Sequence, residues 1–372
     1  MIVTIIVFII ILAALVFVHE LGHFLAAKIS KVRVDEFAIG FPPKIWSFTK
    51  NGTRYAINMI PFGGYVKIFG EDYEREDDID PVAETKPVAK GASFADRPKS
   101  LQIFILIAGI VGNIIFAWAL LSLGFMYGMP VASDSSGPGI TRDAVVTVVS
   151  VIKGTPAASA GVSTGDQLLT LGDGTKAINT PTDTQVQDFV SSHKDQKISL
   201  VLGHGTSKKI VSLVPQDLPD GKSIIGIEMG YLSTQKLSFF PAIWQGGAMT
   251  IDLTKATATG LGQFFGSIFV GKAKFSDVTG PIGIAGIVGD AVHLGFTYLL
   301  SFTAFISINL AIINLIPFPA LDGGRILFVI IEKIKGSPMN QKVVQIVNMS
   351  GLALLLLLMV VVTFHDIFTM IR

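Results

Sequence analysis

Long apolar runs and polar stretches alternate along the chain. From Ile2 to Val18 no residue is charged, and the apolar character continues, with one polar break, to Ile29. Comparable runs cover residues 101–127, 296–316 and 348–371. A helix of about 20 apolar residues crosses the roughly 30 Å core of a bilayer. Helix is also the structure that satisfies its own backbone polar groups in lipid. The pattern therefore predicts four membrane helices. A cleaved signal peptide is the competing reading of the first run. That run has no basic start, and cleavage would discard the polar break at its far end.

The segments between the runs differ from one another. Residues 30–100 hold shorter pieces, Val34–Ile39, Arg54–Ile60 and Pro61–Ile68, which predict short strands and a hairpin. Their apolar content suggests a sheet against the membrane, whose edge can hold an added strand by main-chain hydrogen bonds. The acidic run Glu71 to Asp80 reads as a solvated loop. A Ser/Gly/Pro/Asp linker spans 128–144. Residues 145–232 alternate β-branched stretches (Val145–Val151, Ile198–Leu202, Lys209–Val214) with turns and one helix-like piece, Thr182–Ser192. They predict a compact α+β domain outside the bilayer. Residues 233–295 comprise an amphipathic helix over 241–270, a Gly/Pro turn over 278–284 and a Gly-rich connector. The third span and a following loop take 296–347, and the fourth span takes 348–372.

Composition agrees with a membrane protein: 50% of the 372 residues are hydrophobic, only 15% are charged, and the mean hydropathy is +0.60. The formal net charge of +1, with no basic tail or Arg-rich patch, gives no support to a nucleic-acid partner. Without cysteine, disulfides are excluded and a zinc site must use His, Asp or Glu. Lys28, Lys31, Arg33 and Lys44 follow the first span; Lys86, Lys90, Arg97 and Lys99 precede the second. Lys333, Lys335 and Lys342 lie between the third and fourth. The positive-inside rule makes these loops cytoplasmic and puts both termini and the 145–232 domain on the other side.

The polar break in the first run is His19-Glu20-Leu21-Gly22-His23. On a helix His19 and His23 are one turn apart and face one way, so both imidazoles can reach one metal ion. Glu20 beside them can take a proton from a metal-bound water. Such groups are costly to leave unpaired at membrane depth. The site falls roughly 25 Å along the helix from Ile2, near the far side of the bilayer. Asp322 lies in Asn314-Leu315-Ile316-Pro317-Phe318-Pro319-Ala320-Leu321-Asp322-Gly323-Gly324-Arg325, where two prolines break the third helix. It is expected at the depth of His19 as a third ligand. Pairing with Arg325 is the plain alternative, and His293, His365 and Glu332 are worse-placed candidate ligands. Gly109, Gly112 and Asn113 read as small residues for tight helix packing; lining of the site by Asn113 is the lesser alternative. His193 and His204 are expected to be solvated.

The HELGH stretch, Pro61-Phe62-Gly63-Gly64-Tyr65-Val66-Lys67 after it, and NLIPFPALDGG in the third helix together resemble the site-2 protease family, in its RseP-like bacterial branch. Between them Ala160 to Leu169, with its Gly165-Asp166 turn, resembles a PDZ domain. The resemblance implies a helical membrane protein with an associated β-sheet and an inserted PDZ-like domain, lodged in a bacterial inner membrane. It implies zinc held by His19, His23 and Asp322, with Glu20 as general base or acid. It also implies that Asn314 contacts the substrate backbone and that Gly63, Gly64, Tyr65, Val66 and Lys67 present the substrate as a strand. The expected substrates are single-pass membrane proteins, such as anti-sigma factors already cut by an upstream site-1-type protease, and leftover signal peptides. Two departures stand out: one PDZ domain where the best-known members have two, and Gly40-Phe41-Pro42-Pro43 in place of a Gly-Phe-Gly-Pro turn. A non-enzymatic scaffold or transporter with a structural metal is the rival class. Against it, a structural zinc site needs no glutamate between its histidines.

Overall fold

The computed structural model describes residues 2–71, 93–132, 144–152, 154–204, 207–217, 223–271 and 280–371. Most of the acidic run and of the linker falls outside them. In chain order the elements are α1 (Ile2–Ile29), β1 (Val34–Lys50), β2 (Thr53–Ile68), α2 (Lys99–Tyr127), β3 (Met129–Ala132), β4 (Val145–Val151), α3 (Pro156–Ser159), β5 (Gln167–Gly172), β6 (Ala177–Asn179), α4 (Asp183–Ser192), β7 (Ile198–His204), β8 (Ser207–Leu213), β9 (Gln216–Asp217), β10 (Ser223–Ile224), β11 (Ile227–Gln235), α5 (Phe239–Phe269), α6 (Pro281–Leu294), α7 (Phe296–Leu315), α8 (Asp322–Lys335) and α9 (Gln341–Ile371). Among the described residues four helices are long and apolar enough to cross a membrane: α1, α2, α7 and α9. The chain forms two compact units.

The first unit combines Met1–Leu121, Gly247–Val288 and Phe302–Arg372. In α1 the buried residues Ile11, Leu15, His19, His23, Ala26 and Ala27 recur at helical spacing, so one stripe faces the protein and carries both histidines. Gly22 of α1 lies against the Ala108 carbonyl of α2, where a Cβ would overlap the backbone. Gly112 lies against the Val18 carbonyl, with space for a Cβ only at 3.0 Å. These glycines bring the two helices together; the sequence pointed to Gly112 for this but not to Gly22. Ala26, Ala27, Val32, Val34, Ile68, Ile105, Leu106 and Val329 belong to a buried cluster that joins the end of α1, the first turns of α2 and the middle of α8.

The predicted short strands are in fact two long bent ones. Val34–Ile39 is opposed both by residues 64–68 and by residues 54–57, and 54–57 is opposed also by 46–49. Bulges between Ile39 and Trp46 make the bend, and there the Pro42–Pro43 bond is cis. Two strands thus lay four segments side by side, and segment 64–68 borders a neighbour on one side alone among the described residues. Lys28 at the end of α1 donates to Thr53 Oγ1 at 2.6 Å, and buried Thr53 donates to the Val34 carbonyl at 2.7 Å, tying helix to sheet. The Gly-rich connector holds a helix, α6, with Gly280 and Gly283 amides donating to the buried Asp366 carboxylate of α9.

The second unit combines Ser122–Gly246 and Gly289–Ser301. It contains the β-sheet region that is consistent with a PDZ-like insert. Its seven-stranded sheet runs β3-β11-β4-β5-β7-β8 with β6 beside β5, over a core that includes Val146, Val148, Leu168, Leu171, Val186, Ile198, Leu200 and Leu202. Thr182 caps α4 in a reciprocal pair with Gln185. In the Gly165-Asp166 turn the Asp166 carboxylate is fully buried, accepts from the Ser163 amide at 2.8 Å and pairs with Lys209 at 2.7 Å. His193 is not solvated. Its Nδ1 donates to the Phe189 carbonyl at 2.7 Å, Nε2 reaches Asp173 at 3.0 Å, and the ring stacks on Phe189. The side chain of His204, and Gly205 and Thr206 after it, lie outside the described set.

Candidate metal centre

Helix α1 delivers His19 and His23 to one point because residues four apart share a face. The break after α7 delivers Asp322 to the same point. Pro317 and Pro319 end the helix, Ala320 takes a left-handed φ of 71°, and α8 restarts at Asp322. Gly323 and Gly324 lie against the carbonyls of Leu315, Ile316 and Phe318, where any Cβ would overlap them, so the turn needs both glycines. Asp322 stands in the first turn of α8, where the helix dipole favours a negative charge.

The three donors converge. Asp322 Oδ2 lies 3.0 Å from His19 Nε2 and 3.2 Å from His23 Nε2, and the two Nε2 atoms are 3.2 Å apart. Donors bound at about 2.0 Å in a tetrahedron stand about 3.3 Å apart, so the triangle matches three ligands of zinc with a fourth position left over. His23 Nδ1 donates to the Ile105 carbonyl at 2.9 Å. A carbonyl can only accept, so the Nε2 lone pair of His23 faces the centre. Both histidines are buried. Among the described residues this is the one cluster of three or more such side chains that can hold a metal ion.

Around the triangle the sequence-derived residues take definite places. Glu20 is half-buried, near enough for its charge to interact with His19, His23 and Asp322, and makes no contact of a ligand. Asn314, in the last turn of α7, brings its amide to 3.5 Å from His19 Nε2. Gly64 lies against the Ala38 carbonyl of β1, where a Cβ would overlap it, and beside α1, where a Cβ would be in ordinary contact with Val16 Cγ1 at 3.6 Å, one turn before His19. Gly63 has a φ of 118°, the conformation that reverses β2 before the 64–68 segment. Tyr65 donates its hydroxyl to Glu36 at 3.3 Å, and Val66 packs on the buried cluster around Val34 and Ile68. Lys67 is half-buried in the same segment.

The other candidates are elsewhere. Arg325 donates to Glu71 at 2.6 Å rather than to Asp322. Glu332 is held by Lys99 at 2.5 Å and by the Met339 amide at 2.9 Å. His293 of α6 lines a cavity of about 390 Å³ in the second unit with Ser163, Asp166, Lys209 and Asp290, and His365 belongs to α9. Asn113, read from sequence mainly as a packing residue, touches the site: its amide is 3.3 Å from His19 Nδ1. Gly109 leaves the space that the His23 ring fills, since a Cβ there would overlap Nε2.

Residues 7–358 match the profile of Peptidase family M50. The chain is 30% identical to the regulator of sigma-W protease RasP of Bacillus subtilis (strain 168), with 98% of each chain covered. It is 30% identical to the zinc metalloprotease RasP of Oceanobacillus iheyensis and 29% identical to that of Bacillus licheniformis, again over 98% of both chains.

Proposed function

The chain belongs to Peptidase family M50 as a zinc metalloprotease of the RasP type, and from that premise we propose that it hydrolyses peptide bonds inside the spans of single-pass membrane proteins. The observation that supports this most is where the donor triad stands: His19 and His23 on α1, a helix of membrane-spanning length, with Glu20 beside them and Asp322 brought to the same point by the start of α8. His19, His23 and Asp322 would hold the metal. Zinc, when bound, supplies a Lewis acid for the scissile carbonyl and lowers the pKa of water beside it. Glu20 takes the proton from that water and passes it to the leaving amine. The amide of Asn314 hydrogen-bonds the substrate backbone near the cleaved bond.

A helical substrate must unwind first, because its own hydrogen bonds shield the carbonyl. The open edge of segment 64–68 supports the way this is done. Gly63 to Lys67 pair with the unwound stretch as an added strand, one helical turn from His19. The orientation follows the basic loops: termini and insert outside, the triad near the cytoplasmic face of a bacterial inner membrane. The Bacillus relative is named as a regulator of a sigma factor, which favours anti-sigma factors as substrates, trimmed beforehand by a site-1-type protease; remnant signal peptides have the same single-span form. The insert filters these substrates and performs no chemistry. No observation favours a non-enzymatic scaffold or transporter.

Glu20→Gln is expected to keep zinc and to lower turnover at least about 10²-fold, the scale of lost general-base catalysis. Asp322→Asn is expected to lose zinc and activity together. Metal analysis beside cleavage of a single-span reporter separates the two, and near-normal turnover by Glu20→Gln would remove the mechanism.

A further inference from the structure

Asn113 is fully buried in the middle of α2, between apolar neighbours. Ser307 of α7, also fully buried, donates its hydroxyl to the Asn113 main-chain carbonyl at 2.8 Å and pins this level of α2. The side-chain amide faces His19 Nδ1 at 3.3 Å, and its other end, Oδ1, is buried with no partner. A buried polar atom without a partner costs about 1–3 kcal/mol, so an apolar residue would serve packing better. Close approach of α1 and α2 is already provided by Gly22 and Gly112. The polar side chain needs another reason.

The metal provides it. Zinc takes the lone pair of Nε2, the atom of His19 that faces Asp322 and His23. Nδ1 then carries the hydrogen and requires an acceptor. For His23 that acceptor is the Ile105 carbonyl. For His19 the group in reach of Nδ1 is the Asn113 amide. One end of this amide lacks a partner whichever way it is turned, so the His19 end decides: a half-turn about the amide axis sets oxygen against Nδ1–H. We propose that Asn113 is a positioning residue for the metal, accepting from Nδ1–H of His19 through Oδ1 and thereby holding the ring with Nε2 toward the centre. The proposal rests on the zinc reading and adds a side chain of α2, at the level pinned by Ser307 of α7, to the groups that orient the ligands.

The test uses the full chain in detergent micelles, with zinc affinity read by chelator competition and ligand geometry read from the visible spectrum of the cobalt(II) form. Asn113→Leu is expected to weaken zinc binding by about 10–100-fold and to shift the cobalt bands, as loss of a partner to a metal-bound histidine does. Asn113→Asp keeps an acceptor and is expected to bind zinc as tightly as the parent. Equal affinity and spectrum in Asn113→Leu, or an Asn113→Asp as weak as Asn113→Leu, overturns the proposal. Should the leucine variant not fold, Asn113→Ala replaces it: a zinc affinity lowered about 10–100-fold supports the assignment, and parental affinity overturns it. A parent that binds no zinc defeats the metal reading itself, which this comparison keeps separate.

Discussion

Gly109 of α2 leaves no room for a side chain beside the His23 ring. A single methyl there would overlap His23 Nε2, the atom that must reach the metal. Gly109→Ala is therefore expected to keep the helix, since alanine is the better helix former by about 1 kcal/mol. It should nonetheless lower zinc affinity at least about tenfold, the scale on which misplacement of a liganding histidine is felt. Chelator competition against far-UV circular dichroism checks this; full affinity at unchanged helicity would show that the ring has another place to go. The clustered donors His19, His23 and Asp322 were legible in sequence because their chemistry is local: two histidines four apart, and one carboxylate after a Pro/Gly break. The partners that orient them were not. The Ile105 carbonyl and the Asn113 amide act across a helix pair, and periodicity along one helix does not say which residue of the next stands opposite. Asn113 was visible only as a polar residue in an apolar run, a signal that packing explains equally well.

Helix α8 gains its place from contacts that lie far away in sequence. Asp322 opens the helix, and one turn on Arg325 pairs with Glu71, just past the end of β2. At its other end Glu332 pairs with Lys99 at the start of α2. The side chain of Glu71 is nearly buried while Arg325 is about a third exposed, so the pair is worth at most about 1 kcal/mol after screening. Its value is that it fixes the metal-bearing turn of α8 against the end of β2. Glu71→Gln and Arg325→Gln are each expected to lower zinc affinity a few-fold, and the double variant to lose little more than either single, the mark of a coupled pair. Losses that simply add would show that the residues act separately. At this scale the four spans and the α5 helix were legible, since length and hydropathy define them. The bends of β1 and β2 were not, because alternation marks a strand without telling how it folds back. Nor was α6: Gly280 at its start carries no capping side chain, and the cap is Asp366, contributed by α9.

The insert has its own hydrophobic core and no metal-binding cluster among its described residues, and in chain order it lies between α2 and α5. Its two connections run side by side. Met129 of β3 pairs with Gln235 of β11 and Pro130 with Thr234, and the Leu237 amide donates to the Phe125 carbonyl at 2.9 Å. The chain leaves and returns at neighbouring positions, so a short Gly/Ser bridge from 130 to 234 can replace everything between without pulling on α2 or α5. None of His19, Glu20, His23, Asn113, Asn314 or Asp322 lies in the removed stretch. The shortened protein is therefore expected to bind zinc with parental affinity and to cleave trimmed single-span substrates at about the parental rate. If the insert filters by excluding bulk, or by demanding a freshly made chain end, its removal should also let untrimmed substrates through, raising their cleavage toward that of trimmed ones. Cleavage of one reporter with and without its outer domain, by both forms, distinguishes the roles. A shortened protein that holds zinc and yet fails on trimmed reporters would make the insert a docking site that the reaction requires, and the filter would have to be abandoned.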